Sequence, residues 1–317
     1  MQWRSLYLEC ERFKAQYFLL FLVRGILELI LNSRGSFQLD LKMLYLLALL
    51  LAWYIAPAVA QPLPRPDHIV IVVEENKTFA QIIGNPNASY INALAKRGAL
   101  LTQSYGVSHP SQPNYLALFS GSTQGSSSNA CPLELNGANL ASTLIEKGRS
   151  FTSYAESMPK AGFEGCVYGM YFRKHNPVAN WKELAALNQP FSAFPQDFEK
   201  LPTVALVIPD HNNDMHNGSV AQGDAWLEKN TERYVQWAAA HNSLLIVTWD
   251  EDDSSEDNHV ATLFIGPMVK PGNSTQHINH YNILRTIEEM FDLPYLGGNA
   301  HINPVTGIWD GSERIIK

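Results

Sequence analysis

Four stretches of the chain are apolar with little or no alternation: Ile69–Val73, Thr203–Ile208, Leu244–Trp249 and Val260–Ile265. A continuous run rich in β-branched residues predicts a strand buried on both faces, the usual state of strands in a parallel sheet. Shorter strands are expected at 99–105 and 150–155. Helical segments fall between them, at about 88–97 (ended by Gly98), 112–120 (ended by Gly121), 138–147, 222–240 and 279–291. Glycine just past the last periodic residue is a common helix stop. Alternating strands and helices predict an α/β fold, a parallel-dominated central sheet with helices on both faces. The Ser- and Gly-rich segment 121–129 reads as a loop. Residues 156–200 are irregular and aromatic, and are expected to cover a site.

The first sixty residues follow another pattern. Met43 to Ala60 is uninterrupted by charge and ends in Ala58-Val59-Ala60-Gln61, with Pro57 just before. That is the form of a secretory signal peptide with an A-x-A cleavage site; a membrane anchor over 43–60 is the alternative. The expected organisation is a leader over 1–60 and a single domain over 61–317, secreted or periplasmic. Beyond the leader only Cys131 and Cys166 remain, and an exported chain with one cysteine pair can form a disulfide. The formal charge of −7 over 317 residues, with no basic stripe, argues against a nucleic-acid-binding surface. Membrane contact is expected only through an uncleaved leader.

Candidate chemistry gathers at predicted strand ends, where open α/β sheets carry their ligand sites. Glu74-Glu75-Asn76 follows the first apolar run, and Asp250-Glu251-Asp252-Asp253 follows the third. Ser111 stands at a helix start, as its expected N-cap, before Gln112 and Pro113 in the first turn. A helix N-terminus favours oxyanions and phosphate. A serine beside carboxylates that hold a divalent cation is one way to obtain an alkoxide near neutral pH. The acidic run is not an EF-hand loop, which needs Gly at its sixth and Glu at its twelfth position; Ser255 and Ala261 stand there.

Four blocks then carry a resemblance. Val73-Glu74-Glu75-Asn76-Lys77-Thr78-Phe79 is similar to the "(I/V)ENxSF" start of the bacterial and fungal phosphoesterase family, with Thr78 in place of serine. His109-Pro110-Ser111-Gln112-Pro113-Asn114-Tyr115 resembles its nucleophile segment. Asn213-Asp214-Met215-His216 with Gly223-Asp224-Ala225-Trp226-Leu227 resembles its "NDMH…GDxWL" block. Thr248-Trp249-Asp250-Glu251 with Asn258-His259-Val260 resembles its late block. The family includes acid phosphatases and phosphocholine-type phospholipases C and belongs to the alkaline phosphatase superfamily. The chain is too short for the insertions and extra domains of the phospholipase branch, so the acid-phosphatase-like branch is the closer match.

The resemblance implies an alkaline-phosphatase-like fold, with Ser111 as nucleophile and Glu75, Asn76, Ser111, Asp250 and Glu251 around a divalent metal ion (Mg, Mn, Ca or Zn). The doubled glutamate leaves Glu74 as an alternative to Glu75, though Glu74 reads as a solvent-facing neighbour. Asp252, Asp253, Glu256 and Asp257 read as surface acids. His216 and His259 are candidates for phosphate contact or for protonating the leaving alcohol, and Asp214 for an acid, base or orienting group. Asn114 and His109 are candidate substrate-binding residues; the remaining histidines receive no role. The expected activity is phosphate monoester hydrolysis through a phosphoseryl intermediate. The alternatives are a phosphodiesterase or phospholipase C, and an exported binding protein on the same scaffold.

Overall fold

The computed structural model describes residues 63–298 and 301–310. The leader, its cleavage site and the anchor alternative over 43–60 lie outside the described residues. The strands are β1 (His68–Glu74), β2 (Ala99–Tyr105), β3 (Phe151–Ala155), β4 (Val167–Tyr168), β5 (Tyr171–Phe172), β6 (Asn188–Pro190), β7 (Val204–Ile208), β8 (Ser243–Trp249), β9 (His259–Ile265) and β10 (Gly272–Asn279). The α-helices are α1 (Phe79–Ile82), α2 (Ser89–Arg97), α3 (Ser111–Ser120), α4 (Leu140–Glu146), α5 (Val220–Ala238) and α6 (His280–Met290).

Eight strands form the main sheet in the order β10-β2-β9-β8-β1-β7-β3-β6. The β3, β7, β1 and β8 strands run parallel, whereas β9 runs antiparallel to both β8 and β2. The period of two along β1 explains its unbroken apolar run. Ile69, Ile71 and Val73 join the core beneath α3, α4 and α6, while Val70 and Val72 join the core beneath α2 and α5. Covered on both faces, β1 has no side that could be polar.

The strand β10 has no counterpart among the expected elements. It lies at the sheet edge, only Ile278 in it is buried, and so no apolar run announces it. The aromatic segment 156–200 holds the β4–β5 hairpin, the short strand β6 and several 3₁₀ turns. Cys131 and Cys166 are disulfide-bonded, which ties the start of that hairpin to the loop before α4. Part of the "GDxWL" resemblance is scaffold. The Asp224 carboxylate accepts from the amides of Tyr90 (3.0 Å) and Ile91 (2.8 Å), satisfying free donors in the first turn of α2. Gly223 packs where a Cβ would lie 2.5 Å from the Met215 side chain.

Glu288 on α6 is fully buried; its Oε1 accepts from the Leu296 amide at 2.9 Å and its Oε2 has no partner among the described residues. Burial pushes this carboxyl from 4.5 up to about 7. Between those values the unfolded chain has released the proton and the folded chain still holds it, so this group makes stability fall as pH rises through that window. Glu288→Gln keeps the acceptor and removes the titration. The variant's thermal midpoint should gain on the parent's as pH rises from 4.5 to 7 and hold the gain above, worth on the order of 3 kcal/mol. Paired melts across pH check this.

Candidate active site

Three neighbouring strands end at one rim, and short backbone bonds lock their ends together. The Glu75 amide donates to the Asp214 carbonyl at 2.8 Å, and the Asp250 amide donates to the Glu74 carbonyl at 2.9 Å. These ties bring the segments after β1, β7 and β8 side by side. The loop after β2 then delivers α3, with Ser111 as its first residue. Pro110, not Ser111, occupies the N-cap position, and no side chain caps the helix. The expected capping role of Ser111 is therefore overturned. Its hydroxyl is drawn away from the helix by carboxylates: Oγ lies 2.9 Å from Glu251 Oε1 and 3.2 Å from Glu75 Oε2.

Glu75, Asp250 and Glu251 are buried, and each offers an oxygen within 4.8 Å of the others. Burial, and then the charges of Glu75 and Glu251, raise the Asp250 carboxyl well above its ordinary range. Burial also raises Glu251, against the lowering effect of its contacts with Ser111 and His109. Asp250 Oδ2 and Asn76 Oδ1 are buried and have no hydrogen-bond partner among the described residues. Mutually repelling carboxylates, two orphaned acceptors and an adjacent hydroxyl are the donor set of a hard cation. Glu75, Asn76, Asp250, Glu251 and Ser111 therefore fit a divalent metal ion.

Glu74 corrects the expectation of a solvent-facing neighbour. It is fully buried, neither carboxylate oxygen has a partner among the described residues, and burial, then Asp214, keeps its pKa well above normal. Alternation along the strand separates it from Glu75, which alone of the two meets Ser111. Asp252 is likewise not a surface acid. It is 1% exposed, and its carboxylate accepts from the amides of Ser254 (2.6 Å), Glu256 (2.8 Å) and Asn258 (3.1 Å), which folds the loop back into β9. Asp253, Glu256 and Asp257 are exposed.

His109 spans two acids of that loop, with Nδ1 2.5 Å from Glu251 Oε2 and Nε2 3.3 Å from Asp252 Oδ1. Asn114 faces the backbone. Its Oδ1 accepts from the amides of Val107 (2.7 Å) and Ser108 (3.0 Å), and its Nδ2 donates to the Ser108 carbonyl (2.7 Å). The amide is spent on shaping the loop that presents Ser111. His259 is not brought to the cluster. Its ring stacks between Phe79 (4.7 Å) and Tyr105 (5.0 Å), and its Nε2 faces the Thr102 carbonyl at 3.0 Å.

The other wall is a column of rings: Tyr115, His175, His211 and His216, with successive centroids 5.3, 4.7 and 4.0 Å apart. Tyr115 donates to Glu75 Oε1 at 2.8 Å. His175, 2% exposed, places Nε2 2.9 Å from Glu75 Oε1 and Nδ1 3.3 Å from Asp214 Oδ2. Burial opposes its charge, but Glu75 and Asp214 outweigh burial and lift its pKa. Glu75 is held below the usual carboxylate range, burial being overcome by His175 and Tyr115. The Asp214 carboxylate also accepts from the His216 amide at 2.7 Å, and burial raises its pKa to about 6. The His216 ring accepts from Lys174 Nζ at 3.3 Å. Burial, then the neighbouring His175 and His216, drops His211 to about 3, so it is a neutral packing ring. His280, the first residue of α6, donates from Nε2 to the Asp250 carbonyl at 2.6 Å and fixes that strand end.

Residue reasoning missed His175, Lys174, His211 and His280. The polar Arg173–Pro177 cluster inside an aromatic segment is the only local cue to the first two, and no periodicity marks it. His280 stands at an ordinary helix start.

The chain matches the profile of the Phosphoesterase family over residues 85–294. It belongs to that family. It is 49% identical over 255 residues to a phosphatidylinositol-3-phosphatase of Mycobacterium tuberculosis, covering 79% of this chain and 85% of that protein. It is 30% identical over 252 residues to an acid phosphatase of Aspergillus fumigatus, covering 70% of this chain and 54% of that longer protein. A protein of the alkaline phosphatase superfamily from Vibrio parahaemolyticus superposes with a TM-score of 0.53 at 15% identity, covering 75% of this chain and 71% of that one, a likeness of fold. This member of the phosphoesterase family is thus a phosphatase-type hydrolase of phosphoric esters. Among its described residues no helix is long and apolar enough to cross a membrane.

His175 compensates two buried carboxylates, so removing it should leave Glu75 and Asp214 facing each other. Loss of one partner from a buried charge pair costs about 3–5 kcal/mol. His175→Ala should lose stability on that scale in urea unfolding without metal, and millimolar divalent cation should restore part of it. No loss, or no effect of cation, would show that the ring is only packing.

Proposed function

We propose that this phosphoesterase is a metal-dependent phosphomonoesterase that forms a phosphoseryl intermediate on Ser111. The observation that carries this reading is the Ser111 hydroxyl held between Glu251 Oε1 and Glu75 Oε2. Glu75, Asn76, Asp250, Glu251 and Ser111 would hold a divalent ion, which would supply charge to lower the pKa of that hydroxyl and to offset the carboxylates. Glu251 orients Ser111 Oγ and takes its proton, and His109 braces the far oxygen of Glu251. The serine oxygen attacks phosphorus in line, the ester P–O bond breaks, and the leaving alcohol takes a proton that Lys174 Nζ passes through the His216 ring across the cleft. Lys174 and the Ser111 amide at the start of α3 hold the phosphoryl oxygens. Water then displaces the serine oxygen and gives a proton back to the His216–Lys174 pair, Glu251 returns its proton to Ser111 Oγ, and phosphate departs.

The substrate class is a phosphate monoester on a lipid headgroup. The similarity to a phosphatidylinositol-3-phosphatase over 85% of that protein's length supports it. Export belongs to the same reading. The Cys131–Cys166 bridge supports it, since such bridges persist outside reducing compartments.

Ser111 caps nothing, so Ser111→Ala should leave the melting temperature within a few degrees of the parent. Turnover of an aryl phosphate monoester should fall by a factor on the order of a thousand or more. Near-normal turnover, or phosphate mapped by mass spectrometry on another hydroxyl, overturns the assignment. A bis-aryl phosphate diester run beside the monoester tests the choice of substrate, and preference for the diester overturns it.

Asp250→Asn should have two effects of opposite sign. Removing one of three crowded charges should raise the unfolding midpoint of the metal-free protein. It should also weaken cation binding by titration calorimetry and reduce turnover, and exhaustive chelation of the parent should abolish turnover. Full activity in protein free of metal by elemental analysis would sink the metal-assisted mechanism.

A further inference from the structure

Five large apolar side chains are markedly exposed among the described residues, and three of them sit on one hairpin: Val167 (53%), Tyr168 (55%) and Met170 (40%). Ordinary surfaces scatter such residues singly, and a cluster marks a contact surface. The hairpin is the two-stranded β4–β5, in which Val167 pairs with Phe172 and Tyr168 with Tyr171 across a tip at Gly169 and Met170. Its two tyrosines both pack edge-on against Phe163, but Tyr171 is 2% exposed and belongs to the core, while Tyr168 leaves more than half of its surface open.

The hairpin is braced from below. Cys166, just before Val167, is bridged to Cys131, and the Arg173 amide closes the base by donating to the Cys166 carbonyl. The Arg173 guanidinium is buried and donates to the carbonyls of Glu164 (2.6 Å) and Leu133 (2.7 Å). The exposed tip is therefore held out by a fixed support.

It is also continuous with the catalytic rim. The Met170 carbonyl accepts from the His211 amide at 3.1 Å, and the Phe172 ring lies 3.8 Å from the His211 ring. Lys174, two residues on, lies over Phe172 at 5.9 Å and reaches His216 at 3.3 Å. An apolar tip, then a cation, then the phosphate-handling rim follow one another along a single segment. A phospholipid presents the complementary order: acyl chains, then an anionic headgroup, then the phosphate ester to be cleaved. Aliphatic, thioether and phenolic side chains together are the composition that enters a bilayer interface, with tyrosine at headgroup level.

We propose that the Val167–Phe172 hairpin is the surface by which this phosphatase seats on a lipid bilayer, its tip in the interface and the rim beside it receiving the phosphorylated headgroup. The proposal rests on the lipid-headgroup reading of the substrate.

The test uses the full chain, a soluble aryl phosphate, and phosphatidylcholine vesicles carrying phosphatidylinositol 3-phosphate. Val167→Ser with Tyr168→Ser should lower turnover of the vesicular substrate by roughly tenfold or more while aryl phosphate turnover stays within about twofold. Preserved aryl phosphate turnover also shows that the variant is folded. In a second variant, Tyr168→Trp, the emission added relative to the parent should shift to the blue and be quenched by lipids brominated along their acyl chains. That readout is local to the tip and does not depend on any other membrane contact of the chain. Equal change on both substrates overturns the proposal, as does an added indole emission that vesicles leave untouched. A double variant that turns a dimer into a monomer with vesicle turnover unchanged also overturns it, and assigns the patch to a second copy of the chain. A parent inactive on aryl phosphate would refute the phosphomonoesterase reading, and quenching at position 168 would still decide the surface. A parent active on aryl phosphate with no quenching refutes the surface alone.

Discussion

Like charges in a dry place set the terms for this molecule. Glu75, Asp250 and Glu251 are buried within reach of one another, and the free energy of holding them there is unfavourable unless something positive intervenes. The surrounding structure supplies partial answers from two sides. His175 and Tyr115 compensate Glu75, while Ser111 and His109 share Glu251. Asp250 receives least, with one oxygen unpartnered among the described residues. The remaining deficit of positive charge lies where a cation would fit, against the Ser111 hydroxyl.

Rigidity at the rim follows from the sheet. Backbone bonds between adjacent strand ends fix the Glu74–Glu75 and Asp250–Glu251 peptides relative to Asp214, and His280 pins the Asp250 carbonyl from the other face. Asn114 does the same for the loop carrying Ser111. Groups that touch no substrate thereby determine where the reactive oxygens can be. Such support separates a precise site from a collection of suitable side chains.

What could be read from the sequence had a one-dimensional signature. The central strands are legible because burial on both faces leaves an almost unbroken apolar run in each. The meeting of Ser111 with Glu75 and Glu251 is legible because strand ends in such sheets share a rim and because the motif blocks are specific. The unread parts depend on partners far along the chain. The edge strand β10 is polar on both faces. Glu74 looks like a surface residue until its strand is known to be covered on both sides. His175 acquires its role only when the segment after the hairpin folds across β1. Asp252 resembles its exposed neighbours, yet it is the residue around which they turn.

The reversal of β9 carries a consequence for variation. Because β9 returns antiparallel to β8, the segment from Asp250 to Asn258 leaves and re-enters the sheet at the same edge without crossing it. Loop closure entropy grows slowly with length, by about 0.6 kcal/mol per doubling. Residues could therefore be added at the exposed tip near Ser255 with little closure cost and the register of β1 and β8 untouched, the main loss being the Asp252 bonds that order the turn. The mouth of the cleft can be rebuilt from one side by lengthening or shortening this return, while the carboxylates at its root keep their places. Evolution has in this turn an adjustable part set directly beside a fixed one.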